Sequence, residues 1–97
     1  MSDLDECRAR FPISALWGRL GLRGAEKVEA ITPGSPAKIH SPWREDKNPS
    51  FSVWVDENGH GFWKDHGTGE SGDDVQAIER ARGLSTGDAI KLFCEFA

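Results

Sequence analysis

Apolar residues recur with different rhythms along this chain. Between positions 4 and 22 they stand at Leu4, Cys7 and Phe11, then at Ile13, Leu16, Trp17 and Leu20. The second set follows the i, i+3, i+4, i+7 spacing that lines one face of a helix. Pro12 divides this lead into two short helices, because proline is tolerated in a first turn but not in a helix interior. Gly21 and Gly24 close it. From 50 to 55 the text S-F-S-V-W-V alternates, as a half-buried strand does, and a return strand runs from 60 to 64. Asn58 and Gly59 between them signal a hairpin, since both tolerate positive φ. A two-residue loop there sets Glu57 opposite His60, Val55 opposite Phe62 and Trp54 opposite Trp63. Phe51, Val53, Val55 and Phe62 then share the core face, and Ser52, Trp54 and Trp63 the other.

Beyond a glycine-rich loop ending at Gly72, the helical period returns. Asp73 is an N-cap candidate, Val75, Ile78 and Ala81 face inward, and Gly83 sits where a helix ends in a left-handed residue. Ser85 with Asp88 three residues later resembles a capping box, and Ala89, Leu92, Phe93 and Phe96 line one face of a last helix. Residues 25–39 are the least periodic. Val28 and Ile31 fit a strand, Pro33 and Gly34 a turn, and 37–40 an edge strand leading into Ser41. The fold class predicted is α+β: a small antiparallel sheet with helices before and after it. The expected organisation is one domain over 1–97, with a helical lead (1–24), a core (37–75) and C-terminal helices (73–97).

Composition narrows the picture. Ninety-seven residues allow only a limited core, which four Trp and five Phe help to fill. No run approaches the roughly 18 apolar residues of a membrane span, and the N-terminus has no apolar signal core, so a soluble, cytoplasmic protein with no membrane partner is expected. Cys7 and Cys94 are therefore expected as free thiols on two helices. The net charge of −4 argues against a strong, freestanding nucleic-acid binder, because phosphate contacts dominate such affinity.

The stretch 41–75 carries the most specific text. It reads S-P-W-R-E-D-K-N-P-S-F-S-V, then the hairpin, then D-H-G-T-G-E-S-G-D. It resembles the zinc-ribbon domain of bacterial DnaG-type primases and of phage and mobile-element primase-helicases. That family's pattern is roughly C-P-F-H-x-x-K-T-P-S-F-x-V, a hairpin, then C-F-G-C-G-x-G-G-D. Pro42, Lys47, Pro49, Ser50, Phe51, Val53, Gly67, Gly69, Gly72 and Asp73 match in order. The segment G-L-S-T-G-D-A after it is similar to the helix that follows the ribbon there. The four metal positions are altered: Ser41, Arg44, Asp65 and Thr68 stand where the family has Cys, His, Cys and Cys. Zinc takes a tetrahedron of S, N or carboxylate ligands, which Ser, Arg and Thr do not supply. The resemblance thus implies a ribbon that has lost its zinc, with no cofactor and no metal.

Arg44 and Asp65, brought together as two ligand positions would be, can form a bidentate ion pair that replaces the metal clamp, with hydroxyls of Ser41 and Thr68 adding hydrogen bonds. Unpaired, both side chains would point into water. His40, His60 and His66 lie on different segments and are expected to face solvent rather than to bind a metal with Asp65. The glycines of 67–72 suggest a phosphate cradle, but Glu70, Asp73 and Asp74 would repel an anion. Lys47, Lys64, Trp54 and Trp63 form the candidate nucleic-acid surface, since aromatic faces stack bases and lysines track phosphates. The opposite reading places the Trp pair under a helix as a second small core.

The resemblance implies no catalysis, since priming needs a separate polymerase domain with acidic metal-binding residues, and no Ser-His-Asp or Cys-His arrangement is legible. By resemblance, the function is DNA binding in replication, as a relative of the primase template-binding domain. Candidate partners are single-stranded DNA and a primase or replicative helicase. The alternative is a protein-interaction module that docks on a primase, a helicase or itself as a homo-oligomer.

Overall fold

Local signals at the two helical ends are realised residue by residue. In the computed structural model, which describes residues 3–45 and 47–97, α1 (Asp3–Arg10) and α2 (Ile13–Arg19) flank Pro12, the N-cap of α2. Asp73 caps α4 (Asp74–Arg82) in a full capping box: its side chain accepts from the Gln76 N–H, and the Gln76 side chain accepts from the Asp73 N–H. Gly83 ends that helix with φ 65°, a conformation glycine adopts without a Cβ penalty. The Ser85 hydroxyl accepts from the Asp88 N–H and starts α5 (Thr86–Phe96).

Four strands, β1 (Ala37–Ile39), β2 (Phe51–Val55), β3 (Gly61–Asp65) and β4 (Ser71–Asp73), form one antiparallel sheet in chain order, with β1 at an edge. The α+β class and its placement of helices at both ends hold. Two segments differ from expectation. Val28 belongs to a short helix, α3 (Ala25–Val28), rather than a strand, and the end of the glycine-rich loop pairs with β3 as β4.

The hairpin register also differs, by one residue. Val53 pairs with Trp63, Trp54 with Phe62 and Val55 with Gly61. The connection is not a two-residue turn. The Gly59 N–H donates to the Asp56 carbonyl, the Asp56 N–H to the His60 carbonyl, and only Gly59 has positive φ. Asn58 therefore keeps ordinary φ, and the loop is a turn followed by a left-handed glycine, the three-residue alternative. The Asp56 carboxylate selects it by accepting from both the Asn58 and His60 N–H groups at 2.9 Å.

This slip decides which side chains are buried. Ala37, Ile39, Phe51, Val53 and Trp63 point into a core shared with Ile13, Leu16 and Trp17 of α2, Val28, and Ile78 and Phe93 of the last two helices. Trp63 lies parallel to Phe51 at 5.5 Å and meets the edge of Trp43 at 4.9 Å. Trp17 joins the cluster, its indole N–H donating to the Arg23 carbonyl.

Ion pairing by Arg8 and a disulfide tie α1 to the C-terminal helices. Arg8 makes a bidentate pair with Asp74, which is fully buried, with Nε–Oδ2 at 2.7 Å and Nη2–Oδ1 at 2.9 Å. That bond to Asp74 raises the Arg8 pKa, against the lowering effect of burial. Cys7 and Cys94 are disulfide-bonded, which corrects the expectation of free thiols. The α1–α5 contact, which no local pattern in the sequence marks, brings the two Cα atoms to 5.3 Å, within disulfide reach. Among the described residues no helix is long and apolar enough to cross a membrane.

Candidate nucleic-acid interface

Alternation along each strand gives the sheet two unlike faces. Helices cover the face that carries Phe51, Val53 and Trp63. The residues between them, Lys38, Ser52, Trp54, Phe62 and Lys64, are half-buried or exposed. Directly paired residues in an antiparallel sheet project to the same side, so the register arranges this open face in rows. Lys38, Ser52, Lys64 and Ser71 form one row across all four strands, and Trp54, Phe62 and Asp73 form the next. Two residues of strand separate the rows, about 7 Å.

In the aromatic row Trp54 and Phe62 lie 5.9 Å apart with nearly parallel rings, and His60 stacks on Phe62 at 4.4 Å. His60 is thus half-buried rather than solvent-facing. Its Nε2 lies 3.3 Å from Asp73 Oδ2 and 3.9 Å from Asp74 Oδ1. These three residues could converge on a cation. Their oxygens are already engaged, however: Asp74 by both Arg8 nitrogens and Asp73 by the Gln76 N–H. His40, His60 and His66 do not converge with Asp65 on a ligand set. His66 is exposed and hydrogen-bonds Ser52 Oγ through Nε2 at 3.0 Å.

Of the four residues predicted for this surface, two share the open face. Trp54 and Lys64 are on it. Trp63 is on the core side, 4 % exposed, so the cross-strand Trp pair does not form. Lys47 is exposed in the loop between β1 and β2. Lys38 and Phe62 complete the rows and were missed in the sequence, because both depend on the register: Lys38 on the pairing of β1, Phe62 on the length of the hairpin loop.

Arg44, in the loop between β1 and β2, reaches Asp65 at the end of β3. Arg44 Nε donates to Asp65 Oδ2 at 2.8 Å and Nη2 to Oδ1 at 2.7 Å, with a further bond to Ser50 Oγ. The predicted pair therefore forms. Asp65 is buried and also accepts from the Gly67 and Thr68 N–H groups. The Arg44 bond, opposed by burial and reinforced by those amides, lowers the Asp65 pKa from 3.8 to about 2. Thr68 contributes its backbone to this knot, while its hydroxyl accepts from Glu70 N–H. Ser41, buried, accepts from the Trp43 N–H. This donor set does not fit zinc: a guanidinium occupies the carboxylate that would have to bind it.

No family model, no curated protein and no solved structure matches the chain.

Proposed function

We propose that this chain binds single-stranded DNA across its open sheet face, as a zinc-less relative of the primase template-binding domain, in DNA replication beside a primase or replicative helicase. One observation carries the reading: on the face that the helices leave open, an aromatic row runs parallel to a row holding Lys38 and Lys64. Bases stacking on Trp54 and Phe62 leave the sugar–phosphate backbone to follow the lysines, about 7 Å away. The motif shared at 41–73 supports the replication setting, and the face needs no catalytic centre for this role.

Anisotropy of a labelled deoxythymidine 12-mer, measured over a series of salt concentrations, tests it. Binding should weaken as salt rises. Lys38→Ala and Lys64→Ala should each flatten the logarithmic slope by about 0.7, and Trp54→Ala should cost about 1–3 kcal/mol. Lys47→Ala in the same series measures what the β1–β2 loop adds.

The net charge of −4 favours a second reading, a protein-docking module for a primase, a helicase or another copy of the chain. That reading predicts no oligonucleotide binding even at low salt, and gel filtration that shifts with concentration or with the partner.

A further inference from the structure

The aromatic row does not run off the β1 side of the sheet freely. There the turn at residues 32–36, closed by a Thr32–Ser35 bridge, flanks Trp54 and forms a groove of about 420 Å³. Pro33, Pro36, Trp54 and Val55 make its apolar walls, and Ser52 with its hydrogen-bonded partner His66 makes the polar end. This is the usual composition of a small-molecule site: concave, mostly apolar, with a few convergent polar groups. No acidic residue lines it, although the chain has 16 Asp and Glu against 12 Lys and Arg. Ser52 is the register partner of both Lys38 and Lys64, so on this face a lysine position stands on each side of the serine that lines the groove.

We infer that this groove holds the terminal nucleotide of a single strand, its base between the Pro33–Pro36 side and Trp54, its terminal phosphate on Ser52, His66, Lys38 and Lys64. The inference deepens the nucleic-acid reading and rests on it. Two features point to a strand end. The turn at 32–36 stands beside Trp54 as one wall of the groove, so a base at the β1 end of the aromatic row has the groove to enter. A terminal phosphate monoester carries about −1.5 to −2 charge, against −1 for an internal diester, and two lysines flanking a hydroxyl and an imidazole suit the larger charge. The Ser52–His66 bond uses one proton of the pair, so either the hydroxyl or the other ring N–H donates, the phosphate oxygens accept, and the lysines add point charge.

The same chemistry could come from a free nucleotide, and the probes separate the sources. Four are titrated into the whole protein: a deoxythymidine hexamer without terminal phosphate, the same hexamer with a 5′-phosphate, with a 3′-phosphate, and thymidine monophosphate. Amide NMR shifts report the location. One phosphorylated hexamer should bind at least about fivefold tighter than the unphosphorylated one, with shifts at Gly34, Ser35, Ala37, Val55 and His66. Ser52→Ala and His66→Ala, both at the protein surface, should bring that ratio close to one. Equal binding of all three hexamers, with shifts confined to Trp54, Phe62 and Lys64, would overturn the terminal pocket and leave the sheet-face reading standing. Thymidine monophosphate binding as tightly as any hexamer would overturn the strand-end assignment and the polynucleotide reading together, leaving a free-nucleotide site. Absence of shifts with all four probes at low salt would overturn both.

Discussion

Two carboxylates hold this molecule together, each gripped by an arginine through two parallel hydrogen bonds. Asp65 is the one whose protonation can be followed. Its pKa is lowered in the folded state, so its contribution is fully present above the unfolded value near 4 and is lost as pH falls toward about 2. At most about 2 kcal/mol should disappear over that window, visible as a falling melting temperature between pH 4 and pH 2. In Arg44→Ala this acid-dependent loss should shrink. The substitution itself should cost about 2–3 kcal/mol, below the 3–5 of a fully buried pair because Arg44 is about a third exposed. The Arg44→Ala, Asp65→Ala double variant should lose less than the two singles added. A chelator should leave the melting temperature unchanged, since the Asp65 carboxylate is taken up by Arg44 and the Gly67 and Thr68 amides. Asp74 is the more severe case. It is wholly buried, so Arg8→Ala strands a carboxylate and should cost about 3–5 kcal/mol in urea unfolding, and Arg8→Lys should recover only part of it.

At the scale of elements, the hairpin fixes which aromatic ring stands on the open face of the sheet. Gly59→Ala should cost roughly 1 kcal/mol, because only that position has positive φ, whereas Asn58→Ala should change stability by less than about 0.5. Asp56→Ala, which removes an acceptor from two amides, should cost about 1–2 kcal/mol. If urea denaturation found Asn58→Ala as costly as Gly59→Ala, the two-residue loop and a Trp54–Trp63 pair would have to be reinstated. The same hairpin shows what the sequence makes legible. Asp73, Gly83 and Ser85 announce α4 and α5 because caps are local chemistry, satisfied within a few residues. The Arg44–Asp65 pair was legible because a motif aligned the two positions across 21 residues. Lys38, Phe62 and the burial of Trp63 were not. Each depends on a choice between two loop lengths or on the pairing of a three-residue strand, and one residue of register exchanges the faces of a whole strand. Arg8–Asp74, 66 residues apart with no pattern linking them, left no signal at all.

For the whole molecule, the bond between Cys7 and Cys94 closes a loop of 87 residues. By restricting the unfolded chain, such a closure stabilises by about 2–4 kcal/mol, so a reductant should lower the urea midpoint while leaving the arginine pairs intact. It also changes how the chain transmits force. Pulled by residues 1 and 97, the oxidised protein carries tension through the sulfur bridge, and the sheet and its open face bear none of it. An optical trap should record no unfolding step until reductant is added. After reduction, a single domain-sized release should follow, approaching the roughly 300 Å that 87 extended residues can span.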